Sequence, residues 1–197
     1  MATHEGYARN PELVINFYNE RRKQLLDVKP NAGHIGLAEL EKDFNVTVVT
    51  QNVDNLHERA GSKRVIHLHG ELTKVCSSRD PYNPHYIKEL KPDEYEVKLG
   101  DKAGDGTQLR PFIVWFGESV PEIERAVGYV EKADIFVIIG TSMNVYPAAG
   151  LLNYVPRDAE VYLIDPKPVD VHSMRQIHVI QKGASEGVQE LRSLLKP

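Results

Sequence analysis

The chain of 197 residues holds a single cysteine, Cys76. One thiol excludes an intramolecular disulfide framework and any zinc site built from several thiolates. No run approaches the roughly 20 apolar residues that a membrane helix needs, so no membrane partner is expected. The opening MATHEGYARN lacks the charged-then-apolar pattern of a signal peptide, and the expected location is cytoplasmic. Positive charge is in short supply: 24 Lys and Arg against 28 Asp and Glu leave a formal net charge of −4. That balance argues against a surface for DNA or RNA, so no nucleic-acid partner is expected. A G-x-G-x-x-G is missing as well. The one G-x-G, Gly104-Asp105-Gly106, follows no strand, which disfavours a Rossmann oxidoreductase.

What is present is ordinary for a globular chain: 41% hydrophobic and 26% charged residues. Asn10-Pro11-Glu12 is a helix start, with a capping residue, a first-turn proline and an acid at the positive end of the dipole. Leu13, Val14, Phe17 and Leu25 then share one face. A second helix is predicted from Ala32 to Asp43, burying Ile35, Leu37, Ala38 and Leu40. Short apolar strands are predicted at 46–50, 64–68, 112–116, 135–139, 161–164 and 179–180. Helical stretches fall at 56–60, 121–132, 146–154 and 186–195. Strands alternating with helices imply an α/β fold: a Rossmann-like parallel sheet with helices on both faces. Prolines 81, 84 and 92 and the glycine-rich, charged stretch 100–106 mark residues 77–108 as an irregular insertion. The expected division is a Rossmann-like part at 31–75 and 109–197, and a small domain at 1–30 and 76–108.

Ligands of a parallel sheet bind beyond the carboxyl ends of its strands. Three such ends are polar. Gln51-Asn52-Val53-Asp54 could orient hydroxyls and a carboxamide, or serve as a helix cap and turn. His67-Leu68-His69-Gly70-Glu71 places a histidine in a turn, where it could take a proton from a sugar hydroxyl or merely bond to backbone. Gly140-Thr141-Ser142 could approach phosphate or ribose oxygens, or form a plain tight turn.

Taken in order, Thr50-Gln51-Asn52-Val53-Asp54, His67-Leu68-His69-Gly70-Glu71, Val114-Trp115-Phe116-Gly117-Glu118 and Gly140-Thr141-Ser142 resemble the motifs of the sirtuins, NAD-dependent protein-lysine deacylases. The resemblance spans nearly the whole chain outside 77–108. It implies His69 as general base and NAD as cofactor. In the family the acyl-lysine oxygen attacks the ribose carbon that loses nicotinamide. The histidine then helps deprotonate a ribose hydroxyl, and the acyl group passes to ADP-ribose. Gln51, Asn52 and Asp54 would hold the nicotinamide riboside, and Gly140, Thr141 and Ser142 the remaining cofactor. Asp165 stands where many sirtuins carry asparagine at the adenosine ribose, and Ala184 at the adenine. Val114, Phe116, Gly117 and Glu118, with Val145-Tyr146-Pro147, would sandwich the substrate peptide as an added strand. A monomer is expected by the same resemblance.

Arg21 lies near the middle of the apolar stripe of the first long helix, where it must find an anion or snorkel outward. Glu39 or Glu41 could be a structural partner. Tyr18-Asn19-Glu20-Arg21 also resembles the Tyr-x-x-Arg signature of sirtuins that remove succinyl and malonyl groups, since guanidinium and phenol together suit a carboxylate. The expected partners are therefore lysines carrying succinyl, malonyl or acetyl groups. Two features depart from the family. Between His69 and Trp115 stand one cysteine, Cys76, and one histidine, His85, which do not complete the family's four-cysteine site, so no metal is expected, and a core of Tyr82, Tyr86, Ile87, Leu90, Tyr95 and Val97 would serve instead. The first strand of the usual fold, with its Gly-Ala-Gly-x-Ser loop, finds no counterpart. Its loss would leave two neighbouring strands with unpaired backbone, and weak or no turnover is expected of the chain as printed. The alternative reading is an inactive sirtuin fragment that at most binds acyl-lysine peptides.

Overall fold

A computed structural model describes residues 2–140, 148–168 and 176–195. Among them are helices α1 (His4–Arg9), α2 (Pro11–Asp27), α3 (Ala32–Leu40), α4 (Leu56–Ala60), α5 (Ile123–Val130) and α6 (Ala184–Leu195). The strands are β1 (Val48–Thr50), β2 (Val65–His67), β3 (Gly70–Ser77), β4 (Lys88–Glu89), β5 (Leu109–Ile113), β6 (Ile135–Ile139), β7 (Glu160–Ile164) and β8 (His178–Ile180). No helix among the described residues is long and apolar enough to cross a membrane. The chain divides into two compact units, one of residues 1–29, 50–55 and 67–120, the other of 30–49, 56–66 and 121–197.

The second unit carries the α/β character. Strands β6, β7 and β8 pair in parallel, with Phe136 opposite Val161 and Leu163 opposite Val179. β7 is the middle strand, and Val161, Tyr162, Leu163 and Ile164 are all buried, as a strand covered on both faces must be. Tyr162 and Ile164 share a core with Leu40 of α3 and Val188 and Leu191 of α6. The two helices approach closely because Gly36 meets the Val188 side chain where a Cβ would stand, and a Cβ on Gly187 would collide with Ile164. That is why Ile35, expected inside, is 45% exposed. The buried face of α3 is Gly33, Gly36 and Leu40, with Leu37 and Ala38 half-buried. The parallel sheet expected as one body is described as two. β1 pairs with β2, β6 pairs with β7, and no described strand joins the pairs.

In the first unit the strand expected at 112–116 starts earlier, at Leu109, and is antiparallel to β3. β3 itself had no counterpart among the expected strands, because Gly70 and the mixed Glu71, Thr73 and Lys74 obscure its period. This pairing, with β4 on the other side of β3, draws residues 67–75 and 109–120 into the same unit as the insertion. α2 begins as its sequence dictates: the Asn10 side chain accepts from the Leu13 N–H at 3.0 Å, and Pro11 occupies the first turn. Its buried stripe differs from the expected one. Val14, Ile15, Tyr18, Arg22 and Leu25 are inside, whereas Leu13, Phe17 and Arg21 are exposed. Of the core foreseen for the insertion, only Val97 is fully buried, packed with Ile15 and Val75. The insertion is held mainly by polar groups. The Ser77 hydroxyl donates to Asp105 at 2.6 Å and accepts the N–H groups of Arg79 and Asp80, each at 3.0 Å. Asn19 on α2 accepts the Val97 N–H at 3.0 Å and donates to the Val97 carbonyl at 2.8 Å.

Candidate active site

His69 occupies the turn between β2 and β3 and is half-buried. Its Nδ1 lies 3.2 Å from the carbonyl oxygen of Gln51. A carbonyl can only accept, so Nδ1 carries the proton and Nε2 is the basic nitrogen. Both flanks of the turn are tied down. The Leu68 N–H donates to the Thr50 carbonyl at 2.9 Å, and the Val114 N–H donates to the His69 carbonyl at 3.0 Å. Gly70 follows with φ +83°, and a Cβ there would strike the Phe112 carbonyl oxygen. Only glycine lets the chain turn from His69 into β3 this close to β5.

The other histidine of the pair is buried, with Nδ1 3.1 Å from the Asn52 carbonyl. His67 and His69 therefore grip successive carbonyls of the 51–54 segment. That segment leaves β1 in a turn backed by a bond from the Asn52 N–H to the Thr50 hydroxyl at 3.0 Å. Val53 accepts the Leu72 N–H at 2.7 Å. Gln51 and Asp54 are half-buried and Asn52 is exposed. The ring of His69 thus meets the backbone of Gln51, the first of the residues expected at the nicotinamide riboside.

Residues 114–118 follow β5. Trp115 is buried, Phe116 is 79% exposed, and Gly117 has φ +90°. The Glu118 carboxylate is occupied within the protein. It accepts both guanidinium ends of Arg110 at 2.8 and 3.0 Å, the Trp115 N–H at 2.7 Å and His4 Nε2 at 2.8 Å. Burial pushes its pKa up, but the hydrogen bonds from Arg110 and the Trp115 N–H, with the charges of Arg110 and His4, outweigh this and hold it below the ordinary value. A peptide meeting this turn would find backbone and the Phe116 ring rather than the Glu118 carboxylate.

On α2, Tyr18 is 5% exposed. Burial pushes its phenol up, so it is a neutral hydrogen-bond donor at any physiological pH. Arg21 is exposed, its guanidinium 5.9 Å from the centroid of Phe17, and no carboxylate among the described residues pairs with it. The structural partners foreseen for it are engaged elsewhere: Glu39 with Arg192 at 2.6 Å, and Glu41 with the Lys63 N–H at 2.8 Å. The buried arginine is Arg22. It donates to the Leu72 carbonyl at 2.8 Å and to Asn19 at 2.9 Å, and burial lowers its pKa to about 10. The sequence could have revealed it, since 14, 18, 22 and 25 repeat at helical spacing. Arg110, also missed, carried only the faint signal of one cation before an apolar run. Cys76 is excluded from nucleophilic chemistry, because burial pushes its thiol up to about 12.

In the second unit, Gly140 closes β6 with φ +58° and donates to the Ile164 carbonyl at 2.9 Å. Asp165, half-buried past the end of β7, spends one oxygen on the Lys167 N–H at 2.8 Å. Ala184 is the first residue of α6. Strand ends and a helix start are where a dinucleotide's ribose and base are held in such sheets, and these residues fit that use. Thr141, Ser142 and Val145, with Tyr146 and Pro147, lie outside the described residues.

Comparison with known proteins bears on this arrangement. A family profile described as the Sir2 family matches residues 1–147. An "NAD-dependent protein deacylase" of Bacteroides thetaiotaomicron is 83% identical over 197 residues, which is 100% of this chain and 84% of that protein. A protein of the same description from Helicobacter pylori is 48% identical over 191 residues, 97% of this chain and 81% of its own. Among solved structures, a Sir2 homologue–NAD complex matches with a TM-score of 0.82 at 36% identity, covering 99% of this chain and 77% of that one. A Sir2–p53 peptide–NAD+ complex matches at 0.78 and 29% identity, covering 96% and 80%.

Proposed function

The chain belongs to the Sir2 family and is an NAD-dependent protein deacylase; we propose that it prefers lysines bearing acidic acyl groups, succinyl and malonyl, over acetyl. The observation that carries the catalytic assignment is the His69 imidazole, with Nδ1 spent on Gln51 and Nε2 left basic. NAD, when bound, would supply the ribose carbon that exchanges nicotinamide for the acyl oxygen. His69 Nε2 takes a proton from a sugar hydroxyl, the work of a general base held in position through its other ring nitrogen. Gln51, Asn52 and Asp54 orient the riboside, and Gly140, Asp165 and Ala184 belong to the adenosine side. The N–H groups of Val114, Trp115 and Phe116 are spent on His69, Glu118 and Ala2, so an extended peptide would pair with the turn at Gly117 and the Phe116 carbonyl.

The acyl preference rests on α2. An exposed cation with no carboxylate partner among the described residues, three residues from a neutral phenol, suits a bidentate contact to a terminal carboxylate with a third bond from the hydroxyl. Incubation with NAD and matched succinyl- and acetyl-lysine peptides, followed by mass spectrometry, should yield O-succinyl-ADP-ribose faster than its acetyl counterpart. A His69→Tyr variant guards against a contaminating enzyme. Equal or faster turnover of the acetyl peptide refutes the preference. No acyl-ADP-ribose from a chain that calorimetry shows to bind both NAD and peptide refutes the catalytic assignment.

A further inference from the structure

We infer that Arg110 is a positioning residue: it holds the turn 115–118 in the shape that presents its backbone to a substrate peptide. The inference rests on the reading of that turn as the peptide's docking edge. Arg110 is 1% exposed, so it cannot meet a peptide itself. Its donors all end close by in sequence. Nη1 reaches Glu118 Oε1 at 2.8 Å, and Nη2 reaches Glu118 Oε2 at 3.0 Å and the Ile113 carbonyl at 2.9 Å. Its guanidinium carbon lies 3.7 Å from the centroid of Trp115. Glu118 then returns to the Trp115 N–H at 2.7 Å, closing a ring of contacts around the turn.

The turn needs such a brace. Gly117 sits in the left-handed region with open space beside it, and Phe116 projects into solvent, so nothing outside fixes its course. One inward contact comes from the N-terminal segment, where the Phe116 N–H donates to the Ala2 carbonyl at 3.0 Å. His4 Nε2 meets Glu118 at 2.8 Å, and the Tyr82 hydroxyl donates to Glu118 at 3.4 Å and to the Ser119 carbonyl at 3.2 Å, but the two parallel bonds and the buried charge come from Arg110. A lysine could supply the charge but neither the two parallel bonds nor the flat face against the indole.

The test compares Arg110→Lys with the paired change Arg110→Met and Glu118→Gln, which leaves no lone buried charge. Three quantities are measured: affinity for an acyl-lysine peptide by fluorescence anisotropy, affinity for NAD by calorimetry, and Tm. Both variants should bind peptide about tenfold more weakly, as expected when a charge-assisted bidentate contact is degraded, with NAD affinity within about twofold. Wild-type peptide affinity in either folded variant overturns the inference. So does a parallel fall in peptide and NAD affinity, or failure of both variants to fold, because the pair would then serve the unit as a whole. A wild-type chain that binds peptide without turning it over fails the deacylase reading alone, and the binding comparison still decides. A wild-type chain that binds no acyl-lysine peptide overturns both.

Discussion

Replacing Arg21 by methionine separates the acyl-recognition reading from a structural one. Arg21 is exposed, touches the Phe17 ring at 5.9 Å and has no carboxylate partner among the described residues. Its removal should change stability by less than about 0.5 kcal/mol, as at other surface positions. A charge-assisted hydrogen bond to a substrate carboxylate is worth about 1.5–3 kcal/mol. Taking about 2 kcal/mol for a contact at the rim, and about 1.36 kcal/mol per decade, kcat/KM for a succinyl-lysine peptide should fall about 30-fold. The acetyl peptide has no carboxylate to lose, so its kcat/KM should stay within about twofold. Steady-state kinetics on the two peptides, with Tm of both proteins, measure everything required. Equal losses on both peptides, or a Tm drop of several degrees, would refute the reasoning. Arg22→Met provides the contrast. It strips donors from Leu72 and Asn19 and should cost Tm first, with both peptides affected alike.

Other outcomes follow from the same geometry. His69→Gln should cut turnover by about 10²–10⁴-fold with Tm almost unchanged, since among the described residues its side chain is tied through the Gln51 carbonyl alone; a large Tm loss would make it structural. Gly70→Ala forces a positive φ and drives a Cβ into the Phe112 carbonyl, so thermal melting should show destabilisation of at least about 2 kcal/mol. Cys76 should resist a thiol reagent at pH 8 in the folded protein and react on denaturation, because burial raises its pKa to about 12. Asp105 is lowered from 3.8 to about 2, first by the Ser77 hydroxyl and then by Thr107. Its folded pKa lies below the unfolded one, so its contribution is complete above about pH 4 and lost as pH falls toward 2. Amide exchange at Thr107 should accelerate across that window, and Ser77→Ala should move the window upward.

Much of the fold was legible where local rules act alone. Asn10-Pro11 starts α2, and the β-branched runs ending at Thr50 and Ile139 are strands. The cluster around His69 was legible because its members lie at strand ends, where the topology itself gathers them. What escaped depends on partners far away in the chain. β3 is a strand because β5 lies beside it, and its own alternation is too weak to say so. Arg22 was overlooked because a buried cation contradicts hydropathy, and only a carbonyl on β3, fifty residues on, makes its burial tolerable. The sequence places Glu118 beside residues expected to meet the peptide and gives no sign of its buried partner. Its capture by Arg110 depends on a turn whose course no periodicity encodes.

The Asn19 amide reads Val97 through main-chain atoms alone, as an adjoining strand would. Recognition of that kind is indifferent to what side chains the loop carries. Mutational drift can therefore rewrite the surroundings of Val97 while the anchor endures. Asn19 has no such freedom: aspartate would lose the donor and leucine both functions. Because it is set between Tyr18 and Arg21, whatever tugs on the loop is felt where the acyl chain would be judged. On the proposed acyl preference, a change at the Val97 loop would alter selectivity from the periphery, without touching Tyr18 or Arg21.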